Sequence, residues 1–312
     1  MLAISLLLAA FTDIAAKTAR ELAPDKTVLL YPKGQLVDEG IVESGKEVTL
    51  GPNGSNSFHE ANDIDSEMHY TKVGDEACLM LYFPKKCNGK MMVICPGGGY
   101  RFLSGRTEGR NVVRWCLSHN IAACLLIYRM PEGNPLLPVR DVQNAMRYCR
   151  HHSADWGVKE IGVIGFSAGG HLAACASTLF PDEVTRPDFA VLVYAYTDLN
   201  TEGFSKSATN CTWHFTHGDR QKKDYYSMHA RVSDQTPPTL LFISEDDDKV
   251  DTWNSLEYYS ALREHKVPCE LHIIGEGKHG WGFPPEAPGV DKLPGNLRQA
   301  VLSTLESWLE RY

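Results

Sequence analysis

No two cysteines in this chain stand at C-x-x-C spacing, although nine are present, at 78, 87, 95, 116, 124, 149, 175, 211 and 269. The number is odd, and several lie inside apolar runs such as Val93-Ile94-Cys95 and Ala123-Cys124-Leu125. The expectation is buried free thiols, not a disulfide framework or a zinc site. A surplus of positive charge is also missing. The net charge is −8 and no Lys/Arg-rich block occurs, which argues against a nucleic-acid partner, since such a partner needs a basic face. There is no heptad array and no self-similarity at a period of roughly 20–50 residues, so coiled coils and solenoids drop out. The phosphate-loop pattern G-x-x-x-x-G-K-[ST] is absent, and the glycines of CPGGGY (95–100) lack G-x-G-x-x-G spacing. No nucleotide cofactor is therefore expected.

Apolar runs long enough to span a bilayer are lacking as well. Leu2 to Phe11 reads LAISLLLAAF, the length of a secretory h-region and too short to cross a membrane. No Lys or Arg precedes it, and Asp13 lies close to the candidate cleavage point after Ala16. Both features count against a secretory leader, but the length and apolarity of the stretch still favour one, so residues 1–16 are expected to be a signal peptide, with export to the periplasm or beyond. Failing that, they form a short helix of a cytoplasmic protein. The sequons Asn53-Gly54-Ser55 and Asn210-Cys211-Thr212 are read as chance matches, not glycosylation sites.

What the chain does have is material for a large core, with 312 residues of which 43% are hydrophobic. Residues 17–75, rich in Gly, Asn and acids, read as an N-terminal extension of β and loop character, with a turn region at GPNGSNS (51–57). From residue 76 to 312 short apolar runs alternate with helical periodicity. Strands are expected at 78–83, 91–95, 121–128, 161–164, 189–196, 239–243 and 270–274. Helices are expected at 108–119, 139–152, after residue 167, at 254–264 and at 297–309. Such alternation implies an α/β class with a mostly parallel sheet covered by helices on both faces. Residues 197–236 hold no clear strand and are expected to form a lid or pocket wall.

The junction of the strand at 161–164 and the helix after it reads Gly165-Phe166-Ser167-Ala168-Gly169-Gly170-His171. A serine between glycines on a strand–turn–helix corner is the nucleophile-elbow pattern: the turn lifts the serine Oγ above the sheet edge and sets it over a helix N-terminus. A neutral serine needs a base. Among twelve histidines, His279 stands out in the glycine-rich stretch Gly275-Glu276-Gly277-Lys278-His279-Gly280 after a late strand. From there it can reach back over the sheet edge. His151, His152, His214 and His217 carry no such context and are read as surface or pocket-wall residues. His171, on the helix side of the elbow, is read as a structural neighbour. The base needs a carboxylate to hold its tautomer, and Asp246-Asp247-Asp248 follows the strand at 239–243 directly. Oxyanion donors are expected from the N–H groups of Gly98 and Gly99, in the glycine run after the strand at 91–95, together with that of Ala168.

These parts occur in one chain order, and the sequence resembles the α/β-hydrolase superfamily, in particular its bacterial acetylxylan-esterase-like and feruloyl-esterase-like serine esterases. The stretches carrying the resemblance are CPGGGY (95–100), YRMPEG (128–133), GFSAGGHLAA (165–174), PPTLLF (237–242), NSLEYYSALREHKVPCELHI (254–273) and GKHGWG (277–282). It covers about residues 75–312. It implies the α/β-hydrolase fold and a catalytic acid at Asp247, with Asp248 as the alternate. The reaction implied is metal-free and cofactor-free hydrolysis of short acyl esters, acetyl groups on xylan-type carbohydrate above all. The implied partner is a small-molecule or carbohydrate ester, with no membrane span. Two departures stand out. Val250-Asp251 occupies the place where the relatives usually carry Val-Pro, and residues 197–236 match poorly. The alternatives are a serine peptidase like the catalytic domain of prolyl oligopeptidases, although no propeller-sized N-terminal domain is seen here, and an inactive hydrolase-fold binding protein.

Overall fold

The computed structural model describes residues 22–31, 69–70, 77–284 and 292–312. The candidate signal peptide, the GPNGSNS turn, the Asn53 sequon and most of the 17–75 extension lie outside the described residues. In chain order the strands and helices are β1 (Lys26–Leu29), β2 (His69–Tyr70), β3 (Cys78–Tyr82), β4 (Lys90–Cys95), β5 (Leu103–Ser104), α1 (Asn111–Ser118), β6 (Ala122–Ile127), α2 (Leu136–His152), β7 (Glu160–Phe166), α3 (Ala168–Thr178), β8 (Ala190–Val193), α4 (Lys206–Thr216), α5 (Arg220–Tyr225), β9 (Thr239–Ser244), α6 (Trp253–Glu264), β10 (Cys269–Ile274) and α7 (Gly295–Leu309).

Eight strands form one sheet in the order β1-β3-β6-β4-β7-β8-β9-β10. The pairs β1/β3 and β3/β6 are antiparallel, and all the others are parallel. The central strands are buried along almost their whole length, as continuous apolar runs covered on both faces should be. Helices α2 and α3 pack together on one side. On the other side α1 approaches α7, where His119 Nε2 lies 3.8 Å from Glu306 Oε1.

Two expected elements end differently from the sequence reading. The strand expected over 189–196 stops at Val193. There Tyr194 takes a positive φ of 37° and turns the chain out of the sheet. The helix expected over 108–119 opens with a π-helical turn at Arg106–Arg110 before its regular turns begin.

This topology decides where a site can form. From β4 the chain crosses to β6 on one side and then to β7 on the other, so the carboxyl ends of β4 and β7 meet at a switch point, where open α/β sheets hold ligands. The corner after β7 is tight because α3 comes close to the sheet. A Cβ on Gly165 would lie 2.1 Å from the Gly169 carbonyl oxygen, and one on Gly169 would lie 2.1 Å from that of Cys95. Any larger residue at either position would push the helix off the sheet.

The loop after β6 is fixed by charge. Asp141 of α2, fully buried, accepts hydrogen bonds from the Arg129 backbone N–H at 2.8 Å, the Arg129 guanidinium and the Tyr31 hydroxyl at 2.7 Å. The YRMPEG stretch and the N-terminal strand are thereby tied to one buried carboxylate.

Candidate active site

Ser167 follows β7 with φ 52° and ψ −120°, a backbone conformation that an L-residue holds only when its surroundings enforce it. The Ser167 N–H donates to the Val193 carbonyl at 3.1 Å, and the Ser167 carbonyl accepts from Tyr196 and His171. This clamp on both sides of the residue sustains the strain. It also leaves the side chain pointing away from the sheet edge, over the first turn of α3.

Asp247 and His279 come from the turns after β9 and β10. β9 ends at Ser244, and the turn that follows places Asp247 with its side chain fully buried. One carboxylate oxygen, Oδ1, accepts from the backbone N–H groups of Lys249 at 2.8 Å and Val250 at 2.9 Å. The other, Oδ2, lies 2.8 Å from His279 Nδ1. A carboxylate only accepts, so Nδ1 carries the proton and Nε2 is left basic. Nε2 lies 2.9 Å from Ser167 Oγ and accepts its hydroxyl proton. Asp248, by contrast, is half exposed and pairs with Lys249 Nζ at 2.9 Å. The hydrogen bond from that ammonium draws the Asp248 carboxyl below its ordinary range. Asp246 Oδ1 accepts from the Lys278 N–H at 2.8 Å, which bends the loop after β10 back toward β7. Of the three aspartates, then, one holds the histidine ring, one holds the histidine's loop and one faces solvent.

Gly98 and Gly99 line a cavity of about 300 Å³ together with Ser167 and His279. Among the described residues neither glycine N–H has an acceptor. Ala168 opens α3, and the first N–H groups of a helix have no intrahelical partner. Ser207, Ala208, Asn210 and Cys211 of α4 form part of the cavity wall, so the strandless 197–236 segment contributes a helical wall. Asn210 of the second sequon faces this cavity, a position a glycan would fill. His214 sits half-buried nearby, and burial lowers its pKa.

Two side chains under the site have no local signature in the sequence. Glu108, buried, accepts from the Gly97 N–H at 2.8 Å through Oε2 and from the Tyr194 hydroxyl at 2.8 Å through Oε1. Tyr194 in turn accepts from the Gly282 N–H at 2.9 Å, and its ring lies against that of His279 with 4.8 Å between centroids. Glu108 thus joins the glycine loop after β4 to the histidine loop after β10. In sequence it is one acid near a helix start, a placement ordinarily explained by the helix dipole, and no local pattern separates it from that role.

His171 is fully buried behind the elbow. Its Nε2–H donates to the Tyr226 carbonyl at 2.8 Å, and Nδ1 accepts from the Tyr100 hydroxyl at 2.7 Å. Burial lowers its pKa from 6.5 to about 4, so the folded protein keeps it neutral. The stability this contributes is complete above pH 6.5 and is lost as pH falls toward about 4, by up to about 3 kcal/mol. Urea midpoints measured at pH 7 and pH 4.5 should therefore fall more steeply for wild type than for His171→Gln. Equal slopes would show that another group carries the acid sensitivity. All nine cysteines are free, seven of them buried. The Cys211 thiol in the cavity wall is pushed by burial up to about 12, far from reactive thiolate chemistry.

Comparison with known proteins adds four findings. The model of the prolyl oligopeptidase family matches residues 135–290, half of the chain. An acetylxylan esterase of Xylanibacter ruminicola is 34% identical over 213 residues, 67% of this chain and 44% of that protein. An endo-1,4-β-xylanase B of Butyrivibrio fibrisolvens is 26% identical over 61% of this chain and 32% of that protein. The chain thus spans less than half the length of either relative. Among solved structures, an acetyl ester-xyloside bifunctional hydrolase from Caldicellulosiruptor lactoaceticus superposes with a TM-score of 0.66 at 27% identity, covering 93% of this chain and 97% of that one.

Proposed function

Since the chain belongs to the prolyl oligopeptidase family of α/β-hydrolases, we propose that it is a serine carboxylesterase that removes short acyl groups, acetyl above all, from xylan-type carbohydrate. The observation that carries the proposal is the hydrogen-bond chain from Asp247 through His279 to Ser167, opening onto a cavity edged by Gly98 and Gly99. Ser167 Oγ attacks the ester carbonyl as His279 Nε2 takes its proton. The N–H groups of Gly98, Gly99 and Ala168 receive the oxyanion, each such donor supplying about 2.7–4 kcal/mol in the transition state. His279 then protonates the leaving alcohol and later activates the water that clears the acyl-enzyme, while Asp247 holds the imidazolium. Asp247 and His279 do this without a cofactor.

The substrate assignment rests on different support. The cavity is at the small end of ligand sites, which favours a short acyl group. Its rim of Arg101, Ser207, Asn210 and Lys249 offers donors and acceptors to sugar hydroxyls. The similar proteins named above carry acetylxylan, xylan or acetyl-xyloside activities in their names.

The deciding experiment is hydrolysis of p-nitrophenyl acetate, butyrate and octanoate and of acetylated xylan, alongside a prolyl p-nitroanilide. Acetate turned over fastest, with acetate released from xylan, is the expected result. Preference for the anilide would transfer the chain to the peptidase reading that the family model also favours, and a folded protein inert to all five substrates would sink both. In the same assay Glu108→Gln should lose about 10- to 100-fold in kcat, because Gln cannot accept from both Gly97 and Tyr194 and a hydrogen bond to a charged group contributes about 1.5–3 kcal/mol. An unchanged kcat would remove Glu108 from any positioning role.

A further inference from the structure

Away from the serine, three side chains meet behind the pocket wall. Asp198 lies in the segment leaving β8, His229 in the short 3₁₀ turn Met228–Arg231, and Glu257 one turn into α6. One ligating atom from each lies within 4.8 Å of the others. Asp198 is buried, and its Oδ1 accepts from the Asn200 N–H at 2.9 Å and the Ser227 hydroxyl at 2.8 Å, which fixes the plane of the carboxylate. The Trp253 indole N–H donates to Glu257 Oε1 at 2.5 Å and so turns Oε2 inward. The two remaining atoms, His229 Nδ1 and Glu257 Oε2, are shielded from solvent and have no hydrogen-bond partner. They face each other at 3.9 Å, too far for a hydrogen bond.

A buried nitrogen and a buried carboxylate oxygen left without partners are costly. A proton on His229 would turn the pair into an ion pair, but at this separation it would still leave both atoms without a hydrogen bond. A cation between them would satisfy both. We propose that Asp198, His229 and Glu257 bind a divalent first-row metal ion, Zn²⁺ or Mn²⁺. One imidazole nitrogen with two carboxylate oxygens suits those ions, whereas Ca²⁺ and Mg²⁺ take oxygen ligands throughout. With ligand distances of about 2.0–2.2 Å, donors around one tetrahedral ion stand roughly 3.4 Å apart, so the three side chains, whose ligating atoms lie within 4.8 Å of one another, must close in by up to about an ångström. The outer parts of His229 and Glu257 are about 30% exposed, which gives the ion a path of entry.

The role is structural. Asp198 and His229 stand near the two ends of the 197–236 segment, whose helix α4 lines the cavity, and α6 begins shortly after the Asp247 turn. The ion clamps the pocket wall to the helix that follows the acid. It takes no part in acyl transfer, and the site stands whether or not the hydrolytic reading holds.

The test uses the full chain stripped with EDTA, with melting temperature followed as ZnCl₂, MnCl₂, CaCl₂ or MgCl₂ is added. Wild type should rise by several degrees with Zn²⁺ or Mn²⁺ at concentrations well above Kd and little with Ca²⁺ or Mg²⁺. His229→Gln and Glu257→Gln should lose the rise. Cobalt(II) titrated into wild type should give visible absorption that Glu257→Gln lacks, a readout that holds even if His229→Gln folds poorly. No shift in wild type, or a shift and cobalt absorption that survive Glu257→Gln, would overturn the proposal.

Discussion

Ser167→Ala should leave the protein folded and abolish its esterase activity, with kcat lower by about 10⁴–10⁶-fold. The fold should survive because, among the described residues, the Ser167 side chain makes one hydrogen bond, to His279. The strain at φ 52° belongs to a backbone held by Val193, Tyr196 and His171, and alanine inherits it without adding bulk. Melting temperature should therefore move little while activity disappears. A fluorophosphonate probe gives a second reading that does not depend on the natural substrate. Intact mass should show one adduct on wild type and none on the variant. A variant that still labels, or that keeps more than about one part in a hundred of the activity, would mean that the nucleophile lies elsewhere.

Asp247→Asn is the second large effect, about 10⁴-fold in kcat, and its cause can be followed atom by atom. The asparagine oxygen would continue to accept from the N–H groups of Lys249 and Val250. Its amide NH₂ would then face His279 Nδ1, where the Asp247 carboxylate now accepts. Nδ1 must become the acceptor, so the ring proton moves to Nε2, and Nε2 can no longer take the serine proton. Asp248→Asn should cost at most a few-fold, since that side chain is solvent-facing and pairs with Lys249. Steady-state kinetics on both variants settle the assignment of the acid. A mild Asp247→Asn with a severe Asp248→Asn would reverse it.

Much of this architecture could be read from local pattern. Apolar runs of four to seven residues between helical periods are the strands of a buried parallel sheet, because burial on both faces leaves no room for polar alternation. The glycines flanking Ser167 mark a helix pressed against a sheet. The order of Ser167, the aspartate run and His279 follows the ends of β7, β9 and β10. Strand ends were less legible. Val193 and Tyr194 are both apolar, and nothing local says that Tyr194 turns out of the sheet.

The sequence by itself determined the alternation of elements, the placing of Ser167, His279 and the aspartate run at carboxyl ends of strands, and the burial of most of the cysteines, since each of these depends on neighbours a few residues away. Only the tertiary structure decided which aspartate meets His279, because Asp246, Asp247 and Asp248 differ in direction and not in kind. It likewise decided that Glu108 braces the glycine loop against Tyr194, 86 positions away in sequence, and that Asp198, His229 and Glu257 come together. Those contacts join elements far apart in the chain. Their partners are chosen by the packing of the sheet and its helices, and no local pattern encodes that choice.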